Sequence, residues 1–178
     1  SSLTYTAAGV TGTADSATVT LDGVTAAADI AFVGAVETMN VNVTSDSSIA
    51  DLDFDAGTTA LNITAGADLT VTNQVTSTGV AALTITGAGD VSLTALDAAT
   101  ITVSAGSASG DLTLISGGVA EATDPSTVDI ADLTVTLGSG GDSLDVSGTA
   151  DARELAIDLG AGDDTITLGG SLASASAT

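Results

Sequence analysis

Two stretches near the C-terminus, Leu137-Gly138-Ser139-Gly140-Gly141-Asp142-Ser143-Leu144 and Leu159-Gly160-Ala161-Gly162-Asp163-Asp164-Thr165-Ile166, share a G-x-G-x-D-x-U pattern in which U is apolar. Their offset is 22 residues (160 minus 138). The chemistry such residues can do is cation coordination. Glycines let a corner turn tightly and bring carbonyl oxygens inward, and an aspartate adds the hard anionic oxygen that calcium prefers. If consecutive turns stack, Gly138 to Asp142 would lie over Gly160 to Asp164. A calcium ion between them could then draw on corner carbonyls and on the carboxylates of Asp142 and Asp164, with Asp163 as a further ligand. A single Gly-Asp corner is more simply a tight turn with a solvated aspartate. Two in register, each followed by an apolar residue, favour the metal.

Other acidic groups form a secondary set. Asp51-Leu52-Asp53-Phe54-Asp55 places three carboxylates on one face of a strand, where a cation would relieve their repulsion. The run superficially resembles an EF-hand opening, but Ala56 stands where the loop glycine should be and Asn62 where the closing glutamate should be. Asp68, Asp90 and Asp111 each precede a strand and are expected to bond to their own backbone. Ala88-Gly89-Asp90 and Ser109-Gly110-Asp111 are degenerate versions of the calcium corner, which brings Asp90 into the candidate set.

Composition narrows the function classes. The chain carries 23 acidic residues against one basic residue, with no His and no Cys, for a formal charge of -22. Nucleic acid is excluded as a partner, since no cations are present to neutralise phosphates, and an anionic membrane surface would repel the chain. Divalent cations are the natural counter-ions, and metal rather than disulfide is the expected staple. Catalysis is not expected: Arg153 has no Lys or His beside it for charge stabilisation or proton transfer, and Trp, the usual sugar platform, is absent. No membrane insertion is expected, because the most apolar stretch, Val24 to Val36, is interrupted by Asp29 and falls short of a span. A membrane barrel would need aromatic girdles, and Tyr5, Phe32 and Phe54 are the only aromatics. Ser1-Ser2-Leu3 does not open a signal peptide, and the chain is expected to be a piece of something longer.

The elements that must position the corners are short strands. Val19, Val41, Ile63 and Ile85 recur at 22 residues (41 minus 19), as do Met39, Leu61 and Leu83; later, Leu133, Val135 and Leu137 return as Leu155, Ile157 and Leu159. Asp68-Leu69-Thr70-Val71 repeats as Asp90-Val91-Ser92-Leu93. The spacing predicts an all-β parallel β-helix, or β-solenoid, with about 22 residues and two strands per turn, joined by Gly/Ala/Ser corners. A helical reading fails, because Thr, Val, Ile, Gly and Asp dominate and no sustained helical period appears. Between Leu93 and Leu133 the register slips. Ala99 to Val103 and Asp111 to Leu114 look like strands, while Gly117 to Thr127, with Pro125, reads as an insertion. Residues 1–168 are expected to be one solenoid domain and 169–178 a linker or capping tail. Outward rungs Thr18/Thr20, Asn40/Asn42, Asn62/Thr64, Thr84/Thr86, Thr100/Thr102 and Thr134/Thr136 predict a hydroxyl and amide face. Such a face can bind ice when it is a regular Thr-x-Thr array, but the Asn rungs and Ala156/Asp158 interrupt this one.

The two glycine corners resemble the RTX repeat, whose consensus is G-G-x-G-x-D-x-U-x, with Leu137 and Leu159 in place of the first glycine. Position by position, the resemblance implies Gly138, Gly140, Asp142, Gly160, Gly162 and Asp164 as calcium-binding. Together with the Thr/Ala/Gly/Asp/Ser richness and near absence of Lys, it is similar to the RTX-containing surface-layer proteins of Gram-negative bacteria. That resemblance implies type I secretion in an unfolded state, folding outside the cell, and a structural place in a two-dimensional S-layer lattice on the cell surface. Partners would be other copies through homotypic lattice contacts, and cell-surface polysaccharide through regions outside this chain. A stalk or ligand-binding region of a large secreted RTX adhesin is the alternative; many tandem copies in the parent gene would favour it.

Overall fold

The structure, a computed structural model, describes residues 3–6, 12, 14–25, 29–33, 36–55, 57–76, 79–96, 100, 102–116, 133–147, 154–169 and 174–177. Period-2 alternation of Val, Ile and Leu with Thr, Ser and Asn makes these residues strands, since one face of each can be buried and the other wetted. The first eight are β1 (Leu3–Thr6), β2 (Ser16–Asp22), β3 (Asp29–Val33), β4 (Thr38–Ser45), β5 (Ser47–Phe54), β6 (Ala60–Ala65), β7 (Leu69–Thr76) and β8 (Ala82–Gly87). They are followed by β9 (Val91–Leu96), β10 (Thr102–Ala108), β11 (Leu112–Ser116), β12 (Leu133–Thr136), β13 (Ser143–Val146), β14 (Glu154–Asp158), β15 (Thr165–Leu168) and β16 (Ser174–Ala177). No helix occurs among the described residues, and none is long and apolar enough to cross a membrane.

Odd-numbered strands form one sheet in chain order and even-numbered strands form the other, with every pairing parallel. Each even strand therefore passes through a corner into an odd strand and returns one layer further on. This is the parallel β-solenoid that the repeat predicts. Val19, Val41, Ile63 and Ile85 face one another across successive strands. Met39, Leu61, Leu83, Val103, Val135 and Ile157 form a second inward column. From the opposite sheet come Val71, Leu93, Leu114, Leu144 and Ile166. Nearly all of these side chains are fully buried and join one continuous core. Burying each contributes about 1.5–3 kcal/mol, and branched aliphatics fill most of the thin interior between sheets, with Phe54 an aromatic among the described core residues.

Where the register slips, two opposite changes are visible. The step from Leu83 to Val103 is 20 residues (103 minus 83), and β10 carries an irregularity between Ser104 and Ser107. The next step, Val103 to Val135, is 32 residues (135 minus 103), so the insertion enters between β11 and β12. The predicted insertion Gly117 to Thr127, including Pro125, lies outside the described residues, as does Arg153. The register corrects one outward rung, Thr100/Thr102, whose 16-residue step (100 minus 84) from Thr84/Thr86 is too short. Thr100 is buried and its hydroxyl donates to the Val80 carbonyl at 3.2 Å. The residues that continue the Thr84/Thr86 rung are Ser104 and Ser107. The amide ladder does form at Asn62, whose Nδ2 donates to Asn40 Oδ1 at 3.0 Å. In the stretch expected to be a linker or capping tail, β16 pairs with β14.

Candidate metal-binding corner

The glycine motifs fall where the chain leaves an even strand for the next odd one, and the turns stack there backbone on backbone. A methyl group on Gly160 would meet the Gly138 carbonyl oxygen, and one on Gly162 the Gly140 carbonyl oxygen, both far inside contact distance. Gly160 (φ 83) and Gly162 (φ 146) also have backbone angles that a side chain disfavours. The columns run further back than the motifs do: Gly140 lies over Gly110, Gly110 over Gly89, and Gly89 over Ala67. The predicted stacking of Gly138–Asp142 on Gly160–Asp164 is thus present, and the degenerate corners at Gly89 and Gly110 belong to the same column. Corner carbonyls are occupied: Gly138 O accepts the Ala161 N–H at 2.9 Å, and Gly87 O accepts the Ser109 N–H at 2.8 Å.

Beside the glycines stands a ladder of aspartates. Asp46 Oδ1 accepts the Asp68 N–H at 3.3 Å, Asp68 Oδ1 the Asp90 N–H at 2.9 Å, Asp90 Oδ1 the Asp111 N–H at 2.8 Å, and Asp111 Oδ1 the Gly141 N–H at 2.7 Å. The sequence leads one to expect that Asp68, Asp90 and Asp111 bond to their own backbone; each instead accepts an N–H of the following turn, which stacking sets beside it. A groove of about 270 Å³ runs along Asp68, Asp90 and Asp111. Carboxylates one layer apart repel by roughly 1 kcal/mol even in bulk water, a cost the N–H bonds offset. Asp90→Ala removes the acceptor for the Asp111 N–H and is expected to cost about 1 kcal/mol, seen as a lower thermal midpoint. Asp90→Asn keeps the oxygen, removes charge between Asp68 and Asp111, and should hold or raise the midpoint.

The ladder reverses direction at its C-terminal end. Asp142 Oδ1 reaches back to accept the Leu112 N–H at 2.9 Å, and Asp164 Oδ1 reaches back to accept the Asp142 N–H at 2.9 Å. Asp111 reaching forward and Asp142 reaching back therefore bind each other's turn. The Asp142 residue is 1% exposed, and its Oδ2 is buried without a hydrogen-bond partner. Burial pushes the Asp142 carboxyl above the ordinary carboxylate range; the Leu112 and Gly138 N–H groups oppose that shift, and the charges of Asp164 and Asp111 add to it. Asp164 is half-buried and Asp163 exposed at the same corner. Gly141, one residue before Asp142, lies against the Asp163 carbonyl and the Asp111 carboxylate.

The secondary acidic set is elsewhere, on the outer face of the odd-strand sheet. Asp51 and Asp53 point outward from β5, while Asp55 lies past its end. Asp29 on β3 pairs with Asp51 and extends the cluster to a residue the sequence did not mark. Its carboxyl is pushed up by a hydrogen bond to the Asp51 carboxyl, by burial and by the charges of Asp51 and Asp53. Asn73 Nδ2 donates to Asp51 Oδ2 at 3.4 Å.

The corner's chemistry fits a hard cation. It offers the spare Asp142 oxygen between the negative charges of Asp111 and Asp164, and only oxygen donors. Its present geometry is that of a corner closed by hydrogen bonds, and among the described residues no group of three or more His, Cys, Asp or Glu is arranged to hold a metal. Asp111, which the sequence places in the degenerate Ser109-Gly110-Asp111 corner but outside the candidate set, stands beside Asp142. Its signal was the Gly110-Asp111 dipeptide, displaced from the 22-residue register by the short turn. No protein-family model, curated protein or solved structure matches this chain.

Proposed function

We propose that this chain is a structural, calcium-stabilised solenoid module of a bacterial surface layer, working outside the cell as part of a two-dimensional lattice. The observation that carries the reading is Asp142: a wholly buried carboxylate with one unsatisfied oxygen, set where two glycine corners stack and flanked by two more aspartates. A buried carboxylate with one oxygen unsatisfied is costly; at pH values where protonation does not relieve it, a divalent cation can. Asp142 would hold the ion through its spare oxygen, and Asp111 and Asp164, whose Oδ1 atoms accept the Gly141 and Asp142 N–H groups, would have to turn their carboxylates toward it. It would supply positive charge to the corner and tie the turns before and after the insertion together.

The same charge distribution would couple folding to location. Without calcium, a net charge of -22 opposes compaction. Outside the cell, calcium that binds only the folded turns adds RT ln(1 + [L]/Kd), about 2.7 kcal/mol when calcium is 100 times Kd. The chain's role would be mechanical rather than catalytic: its single basic residue and absence of histidine leave carboxylates and hydroxyls as the only plentiful reactive groups. Titrating calcium into EGTA-treated protein should raise far-UV β-structure or thermal midpoint first and particle size second, with sheets seen by electron microscopy. No response to millimolar calcium, with magnesium as control, would sink the calcium reading. A calcium response without sheets under any lattice-forming condition would sink the surface-layer reading.

A further inference from the structure

The chain carries 23 acidic residues, yet among the described residues one broad sheet face is free of them along most of its length. Across the even-strand sheet, successive outward rows read Ser16, Thr38, Ala60 and Ala82; then Thr18, Asn40, Asn62, Thr84, Ser104 and Thr136; then Thr20, Asn42, Thr64, Thr86 and Ser107. Between Asp22 at the end of β2 and Glu154 at the start of β14, no even strand contains a carboxylate. The outer face of the odd-strand sheet differs, bearing Asp29, Asp51, Asp53 and Asp145. The corner between the sheets bears the Asp46, Asp68, Asp90 and Asp111 ladder.

We infer that the outer face of the even-strand sheet, from β4 to β12, is a self-docking surface that receives the same face of a second copy of this chain. Charge selects both the face and the occupant. Two copies at -22 each repel wherever carboxylates meet, and this neutral face is where they can approach without that cost. Thr and Ser hydroxyls and Asn amides are each donor and acceptor, so the surface complements itself about a two-fold axis and needs no oppositely charged partner. Its size limits the strength. Five strands spaced ~4.8 Å apart, with about five residues of ~3.3 Å each, give roughly 400 Å² per copy, and a pair buries roughly 800 Å². Specific interfaces begin near about 1,000 Å², so the contact is weak and reversible, as a unit repeated across an assembly can be. The inference rests on the lattice reading for its biological role, and names the face through which copies meet.

Sedimentation velocity over a wide concentration range tests it, run on the full chain in EGTA and again in calcium. Wild type is expected to dimerise reversibly, more tightly as salt screens residual repulsion. Asn62→Asp with Thr84→Asp places charge at the centre of the face and should weaken the dimer by more than about tenfold. Ser92→Asp with Thr113→Asp adds the same charge to the other sheet and should leave the dimer within about threefold of wild type. Circular dichroism checks that both variants are folded. A monomer at all concentrations, or equal weakening by both pairs of substitutions, overturns the inference. So does a monomer that shows thermal hysteresis, which would give the face to ice. A monomer that still gains β-structure with calcium overturns this contact alone; a dimer without any calcium response supports the contact and overturns the calcium reading.

Discussion

Replacing Gly140 with alanine is expected to remove about 3 kcal/mol of stability, while the same change one residue later, Gly141→Ala, should be close to neutral. The new methyl on Gly140 would meet the Gly110 carbonyl oxygen and lie 2.9 Å from the Asp111 Cα. Both obstacles are backbone of the turn beneath, held by the parallel pairings on either side, so relief requires prising two layers apart. A methyl on Gly141 finds its nearest neighbour, the Asp163 carbonyl oxygen, at 3.6 Å, an ordinary contact. Alanine there also limits the unfolded chain more than glycine does, a small gain. Chemical denaturation of both variants, in EGTA so that metal cannot compensate, reads the contrast. Equal losses at the two positions would mean that the corner tolerates no side chain for reasons other than stacking.

That contrast bears on what the glycine motif means. The G-x-G spacing is legible as a calcium signature and also as a steric rule: two backbone columns two residues apart, each needing glycine or a very small residue where turns touch. The columns run through Gly89 and Gly110, well before the two clear motifs, so stacking alone accounts for the glycines. What stacking does not account for is a wholly buried carboxylate with an unpaired oxygen.

Much of the fold could be read from the chain because a solenoid repeats its physics locally. The inward columns through Val41, Ile63 and Ile85 and through Met39, Leu61 and Leu83 are set by alternation and a constant turn length, and both survive in the pairing register. Reading fails where the turn length changes. Pattern alone places Thr100/Thr102 on the outward face, 16 residues (100 minus 84) after Thr84/Thr86, but the register step there is 20, two short of the usual 22, so Ser104/Ser107 continue that rung and Thr100 falls at a buried corner over Val80. A two-residue change preserves strand alternation, so nothing local in the sequence announces it. The acidic cluster shows the same limit. Asp51 and Asp53 are visible as alternate residues of one strand, whereas Asp29 joins them across the sheet, and cross-strand neighbours emerge only once register is known. For the aspartate ladder, a residue type that commonly bonds to its own turn, as Asp145 and Asp158 do here, bonds to the next one, a contact that only the stacking of turns creates.

Asp142→Asn should reverse its effect with calcium: more stable than wild type in EGTA, less stable in saturating calcium. In EGTA, the substituted side-chain amide would keep an Oδ1 for the Leu112 N–H and remove a buried charge beside Asp111 and Asp164. A gain of about 2 kcal/mol is the scale of an unpaired buried charge relieved. In calcium at 100 times Kd, wild type would recover about 2.7 kcal/mol that the variant lacks. The pH dependence has a definite sign. Because burial raises the Asp142 carboxyl in the folded state, the folded chain binds more protons than the unfolded chain between the ordinary carboxylate value, about 4, and the raised one. This group's contribution is therefore fully present below about 4 and lost as pH rises through the folded value. Calcium-free wild type should lose stability from about pH 4 toward neutrality more steeply than Asp142→Asn, and calcium should flatten the wild-type curve by competing for the same oxygen. If Asp142→Asn is the more stable protein with and without calcium, Asp142 is only a buried turn residue, and the ion, if any, is held elsewhere.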